Sequence, residues 1–163
     1  MIGLADKPTG KKLDKVVNIV EETKRLVKDT KDHNLIYQEV CELLRNNFKH
    51  YSWVGIYIVE GDILSLKAWV GEQATEHTRI KVGEGICGLA AETGKTVVVP
   101  DVTKDFRYIM CFACTKSEIV VPIKKGKTVY GEIDIDSDEV DSFDTKDENF
   151  LEQIAEILSG LYK

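Results

Sequence analysis

Two pairs of β-rich runs, each folded back at a glycine-bearing turn, constrain this chain more than any other feature. Residues 53–59 and 63–70 flank Glu60-Gly61-Asp62, and residues 118–123 and 129–136 flank Lys124-Lys125-Gly126-Lys127. Short runs rich in branched and aromatic residues around such turns read as β-hairpins, and hairpins make antiparallel neighbours. On either side of them the apolar period changes. Leu13, Val16, Val17 and Val20, then Leu26 and Val27, fall at helical spacing with one wet face over residues 12–28. A second helix is expected over about 35–47, with Leu35, Ile36, Val40, Leu43 and Leu44 inward. A last one is expected over about 145–161, with Phe150, Leu151, Ile154, Ile157 and Leu158 inward.

Between the hairpins the elements are short. Residues 78–82 read as a strand, and 86–93 as a helix closed by Gly94. Residues 96–99 read as a strand stopped by Pro100, and 101–116 as a long irregular stretch. Loops of that length in a compact domain tend to carry function. The order predicts an α+β fold: a largely antiparallel central sheet of about six strands, with N- and C-terminal helices packed on one face. A length of 163 residues suits one domain, divided into an N-terminal arm and helix over 1–30 and a single domain over 31–163. The first eleven residues read as a loose arm.

The net charge of −6 argues against nucleic acid and anionic membrane surfaces as partners. The one basic cluster, residues 7–15, reads as a solvated arm. No apolar run approaches the ~18 residues that a membrane span needs, and the N-terminus lacks the apolar stretch of a secretory signal. A cytoplasmic location is expected, where the four cysteines are free for catalysis, metal binding or burial rather than structural disulfides.

Cys41 lies in an apolar helical pattern and reads as core. Cys87 lies in Gly85-Ile86-Cys87-Gly88 at the expected start of a short helix. The positive end of a helix dipole lowers a thiol pKa, and the free N–H groups there favour a carboxylate ligand. A small buried residue at a helix start is the plainer alternative. Cys111 and Cys114 form a CxxC pair in the long loop, which suits a redox dithiol or half a zinc site. A Cys3His site with Cys87 and His77 is conceivable, but the ten residues between them do not match a zinc knuckle, and no bound metal is expected. Asp134 and Asp136 share one face of a strand, and Glu118 begins the partner strand, so three acids converge on one pocket or one exposed edge. Trp53 and Tyr57, four apart on the first strand, line the same pocket or pack as core.

These segments, in this order, resemble GAF domains, and more closely the free methionine-(R)-sulfoxide reductases. The matching stretches are Trp53-Val54-Gly55-Ile56-Tyr57, Arg79 to Gly88, Cys111, Ser117-Glu118-Ile119-Val120-Val121-Pro122 and Gly131-Glu132-Ile133-Asp134-Ile135-Asp136-Ser137. The 24-residue step from Cys87 to Cys111 is the most specific of them. The resemblance implies a thiol enzyme with Cys111 as nucleophile and Cys87 as resolving cysteine. It implies Trp53 and Tyr57 as pocket aromatics, and Glu118, Asp134 and Asp136 as substrate-binding acids. It further implies no bound cofactor, an external thioredoxin-like dithiol reductant, and free methionine sulfoxide as substrate. Many members carry another cysteine two residues before the arginine matching Arg79. His77 stands there, so the chain resembles a two-thiol variant, with Cys114 and His77 as auxiliary candidates. Phe112 occupies a position where an acid is common. A homodimer is expected from the large apolar face of the first helix. The rival expectation is a non-catalytic GAF sensor that binds a small ligand in the same pocket.

Overall fold

The computed structural model describes residues 10–110 and 112–163. Cys111 and most of the N-terminal arm, including Lys7 of the basic cluster, lie outside the described residues. Four helices, α1 (Gly10–Asp29), α2 (His33–Asn47), α3 (Gly85–Thr93) and α4 (Thr145–Ser159), accompany six strands. The strands are β1 (Trp53–Glu60), β2 (Ile63–Val70), β3 (Arg79–Lys81), β4 (Val97–Val99), β5 (Ser117–Lys125) and β6 (Thr128–Ser137). They form one sheet in the order β3-β2-β1-β6-β5-β4, and every neighbouring pair is antiparallel. The α+β expectation holds, and both expected hairpins are present. Helix α1 begins at Gly10, so the end of the arm expected to be loose is already helical.

The two-residue period of β6 divides the sheet. Ile133 and Ile135 face one side, opposite Ile56 and Val54 on β1 and Val121 and Ile119 on β5. Helices α1, α2 and α4 cover that side with Ile19, Ile36, Val40, Leu44, Leu151, Ile154 and Leu158. Glu132, Asp134 and Asp136 face the other side, which among the described residues is covered by α3 and loops. Leu35 departs from its inward assignment and is 47% exposed. The buried stripe of α2 runs through Ile36, Val40 and Leu44, and adjacent helical residues are separated by a wide angle around the axis. Leu13 and Val17 on α1 are likewise exposed. No helix among the described residues is long and apolar enough to cross a membrane.

The start of α4 is held by a buried carboxylate. Asp144 and Asp147 make a reciprocal capping box. Asp147 Oδ1 also accepts hydrogen bonds from Tyr51 Oη at 2.7 Å and His50 Nε2 at 3.1 Å. Burial alone would raise the Asp147 pKa, but hydrogen bonds from His50, Tyr51 and the Asp144 N–H together hold it at about 2. A depressed carboxyl stabilises the fold above its unfolded pKa of about 4, and this contribution is lost as pH falls through about 2. Asp147→Ala is expected to cost about 1–3 kcal/mol at neutral pH. Thermal melts at pH 7 and at pH 3 should show the deficit shrinking in acid.

Candidate active site

The acid stripe of β6 meets three other elements. Asp136 lies between Trp53 of β1 and Glu118 of β5, Asp134 between Gly55 and Val120, and Glu132 between Tyr57 and Pro122. All four acids are buried: Glu118 is 4% exposed, Glu132 0%, Asp134 1% and Asp136 3%. Neither carboxylate oxygen of Glu132, nor Oδ1 of Asp134 or Asp136, has a hydrogen-bond partner among the described residues. Uncompensated buried charge is too costly to persist, so such groups hold protons or await a cation. Burial pushes the Asp134 carboxyl up to about 6, against opposing hydrogen bonds from Glu118 and Cys87. Burial and the field of Asp134 raise Glu132 and Asp136 well above the carboxylate range, Asp138 adding to the rise of Asp136.

Cys87 enters this cluster from the first turn of α3. Its thiol lies 4.0 Å from Glu118 Oε1. Sγ of Cys87 and carboxylate oxygens of Glu118 and Asp134 all lie within 4.8 Å of one another, close enough to hold a single cation between them. The expected low pKa of this thiol is overturned. Burial, then the fields of Asp134, Glu132 and Glu118, hold its proton on sulfur. A helix N-terminus supplies at most about 2 kcal/mol, whereas full burial shifts a pKa by as much as 3–5 units.

The aromatic residues form one wall. The Trp53 ring lies over two glycines: a Cβ at Gly55 or at Gly71 would come within 2.3 Å of it. Trp69 stacks near Trp53 at 6.4 Å, and Phe112 packs against it at 5.5 Å. Phe112 thus serves as wall rather than as a charged group. Tyr57 Oη donates to the His77 carbonyl at 2.8 Å, and His77 Nε2 donates to the Met110 carbonyl at 3.1 Å. These two contacts tie the loop before β3 to the sheet and to the residue preceding Cys111. His77 is therefore a tether between loops.

Cys41 is fully buried in the opposite core, as its pattern predicts. Cys114 is exposed, with its thiol pKa raised by desolvation and by Asp138. It borders a cavity of about 260 Å³ that reaches Trp53, Phe112 and Asp136 and includes Arg45 and Lys49. The space directly against Cys87 and Glu118 is only about 10 Å³, closed by Ile109 and His77. A groove of about 560 Å³ lies between α4 and β5, away from the thiol and the acids.

Glu132 is the site residue that the sequence reading passed over. The alternation that paired Asp134 with Asp136 places Glu132 on the same face, so the signal was present.

Comparison with known proteins agrees with this architecture. The GAF domain family model matches residues 31–160. GAF domain-containing protein A of Dictyostelium discoideum is 36% identical over 93% of this chain and 94% of its own length. The free methionine-R-sulfoxide reductase of Saccharomyces cerevisiae is 42% identical over 66% of this chain and 61% of its own length. The X-ray structure of free methionine-R-sulfoxide reductase from Neisseria meningitidis, in complex with its substrate, superposes with a TM-score of 0.85 at 31% identity. That superposition covers 99% of this chain and 94% of the other. By sequence and by fold, the chain belongs to the GAF domain family, alongside the free methionine-R-sulfoxide reductases.

Proposed function

We propose that this protein reduces free L-methionine-(R)-sulfoxide to methionine with its own thiols. The observation that carries the reading is the cluster of four buried acids around the Cys87 thiol, three of which have an oxygen without a close hydrogen-bond partner among the described residues. An ammonium group is a cation that such a cluster would take, and recognising it selects free amino acids over peptide-bound residues. N–H groups in the first turn of α3 would hold the substrate carboxylate. Trp53 and Tyr57 would flank its apolar chain. Because the space beside Cys87 is far smaller than the ligand, binding must displace the Ile109 or His77 cover.

In this mechanism Cys111, as thiolate, attacks the sulfoxide sulfur. A protonated carboxyl gives its proton to the oxygen, which would otherwise leave poorly. Asp134, with a pKa of about 6, is suited to exchange protons near neutrality. Methionine departs and Cys111 is left as a sulfenic acid. Cys87 then condenses with it to a disulfide, releasing water, and a thioredoxin-like dithiol reduces the pair. The reading takes the protein as a cytoplasmic homodimer joined through α1, where Leu13 and Val17 stand exposed; sedimentation velocity measures the oligomeric state.

The test is NADPH oxidation coupled through thioredoxin reductase and thioredoxin. Turnover with the (R) epimer and none with the (S) epimer is expected. A folded, reduced protein that turns over neither epimer would sink the reading in favour of a ligand-binding GAF sensor.

A further inference from the structure

The thiol and acids that would serve an amino-acid substrate also make a donor set of another kind. Cys87 Sγ and one carboxylate oxygen each from Glu118 and Asp134 lie within 4.8 Å of one another, and Cys87 Sγ is 4.0 Å from Glu118 Oε1. Three atoms so spaced share a point within about 2.8 Å of each, against zinc–ligand distances of about 2.0 to 2.3 Å. Side-chain adjustment alone closes that gap. The three residues come from the first turn of α3 and from strands β5 and β6, so the fold holds them together before any ion arrives. All are buried: Cys87 is 6% exposed, Glu118 4% and Asp134 1%. Asp134 Oδ1 has no hydrogen-bond partner, and Asp134 makes no ion pair among the described residues. A buried carboxyl in that setting takes a proton or a cation.

The space beside Cys87 and Glu118 is about 10 Å³, roughly enough for one water molecule. An amino acid enters it only by moving Ile109 or His77, whereas a single ion fits the closed site. The donors also choose among ions. A thiolate is a soft ligand that favours zinc and similar metals, while magnesium and calcium need about six or more oxygens. This is not the Cys3His set that the cysteine spacing suggests. Cys114 is exposed and borders the other cavity, and His77 Nε2 is engaged with the Met110 carbonyl.

We propose that Cys87, Glu118 and Asp134 bind one zinc ion, or a cation of like softness, in the closed and reduced protein, with water in the fourth position. The S–Zn bond forms as the S–H bond breaks, and the thiol proton passes to solvent with any proton on the two carboxyls; nothing is oxidised or reduced. Three protein ligands and an open position make the ion exchangeable rather than structural. One consequence rests on the reductase reading: the ion occupies groups that the substrate needs, and so holds the enzyme idle until it is removed.

The test uses the full chain, stripped of metal and kept reduced with a phosphine rather than a thiol. Titration with Zn²⁺ against a chromophoric chelator should give one ion per chain with a Kd on the order of 1 μM or below. Co²⁺ in its place should give the near-ultraviolet absorption of a thiolate–cobalt bond. Cys87→Ser should abolish that absorption, and Glu118→Gln and Asp134→Asn should each weaken Zn²⁺ binding about 100-fold or more. Cys114→Ser and Cys111→Ser should bind as the unsubstituted chain does, and thermal melts check that every variant is folded. Failure to bind Zn²⁺ overturns the proposal, as does wild-type affinity in Glu118→Gln and Asp134→Asn. Cobalt absorption that survives Cys87→Ser but vanishes in Cys114→Ser or Cys111→Ser also overturns it. The idling is read from methionine released by the reduced chain alone, with no thioredoxin present. One equivalent of Zn²⁺ should stall release, and a chelator should restore it; unimpeded release overturns the idling. A metal-free chain that yields no methionine overturns the reductase reading, whereas the zinc site stands or falls on binding.

Discussion

Cys111→Ser is expected to end sulfoxide reduction, with a fall on the order of 10⁴-fold or more in the thioredoxin-coupled assay. A hydroxyl is far less ionised and less nucleophilic toward sulfur than a thiol, and the pocket offers acids rather than a base strong enough to activate it. Cys87→Ser should fail differently. One methionine per chain should appear, after which the sulfenic acid persists until an external thiol reaches it. Intact turnover in Cys111→Ser would remove the thiol step altogether. Ligand binding with no turnover in the unsubstituted protein would instead mark it as a sensor. Cys41→Ser provides the structural control, because that thiol is wholly buried on the opposite face of the sheet and takes no part.

Asp134→Asn should move activity and stability in opposite directions. Loss of the carboxyl removes a buried partner of the substrate ammonium, a change worth about 2–5 kcal/mol, which raises KM about 30-fold or more, and it removes the proton donor to the sulfoxide oxygen, which lowers kcat about 100-fold or more. Stability should rise. The Asp134 pKa of about 6 exceeds the unfolded value of about 4, so the folded state binds its proton more tightly than the unfolded state does. That contribution is complete below pH about 4 and is lost as pH climbs through about 6. Asparagine cannot ionise, so the variant escapes a loss of up to about 3 kcal/mol on the alkaline side. Melting temperatures of the two proteins at pH 4 and pH 8 would show it: near coincidence in acid, and a higher value for the variant at pH 8. A variant less stable than wild type at pH 8 would mean that Asp134 is held as an ion by a partner the fold supplies.

These expectations rest on a site that was only partly legible in the chain. The hairpins, the six strands and the three long helices follow from local period and turn chemistry, and so does the shared face of Asp134 and Asp136. Glu132 obeys the same two-residue period, yet an acid between apolar residues is ambiguous until something covers its face. Leu35 shows the matching limit for helices, where periodicity gives a stripe but leaves its edge uncertain by one residue. Phe112 and His77 could be read only as departures from a family pattern. Their packing on Trp53 and their hydrogen bond to the Met110 carbonyl are long-range contacts.

The sequence by itself determined the architecture, because secondary structure and hairpin pairing are set by interactions among near neighbours in the chain. It also determined which thiols and acids were available. The tertiary structure alone decided their protonation. A cysteine at a helix start promises an acidic thiol, but the sheet delivers Glu118, Glu132 and Asp134 to the Cys87 sulfur and shuts out water. Charge in a folded protein responds to everything within several ångströms, however distant along the chain, and desolvation there outweighs the local helix dipole.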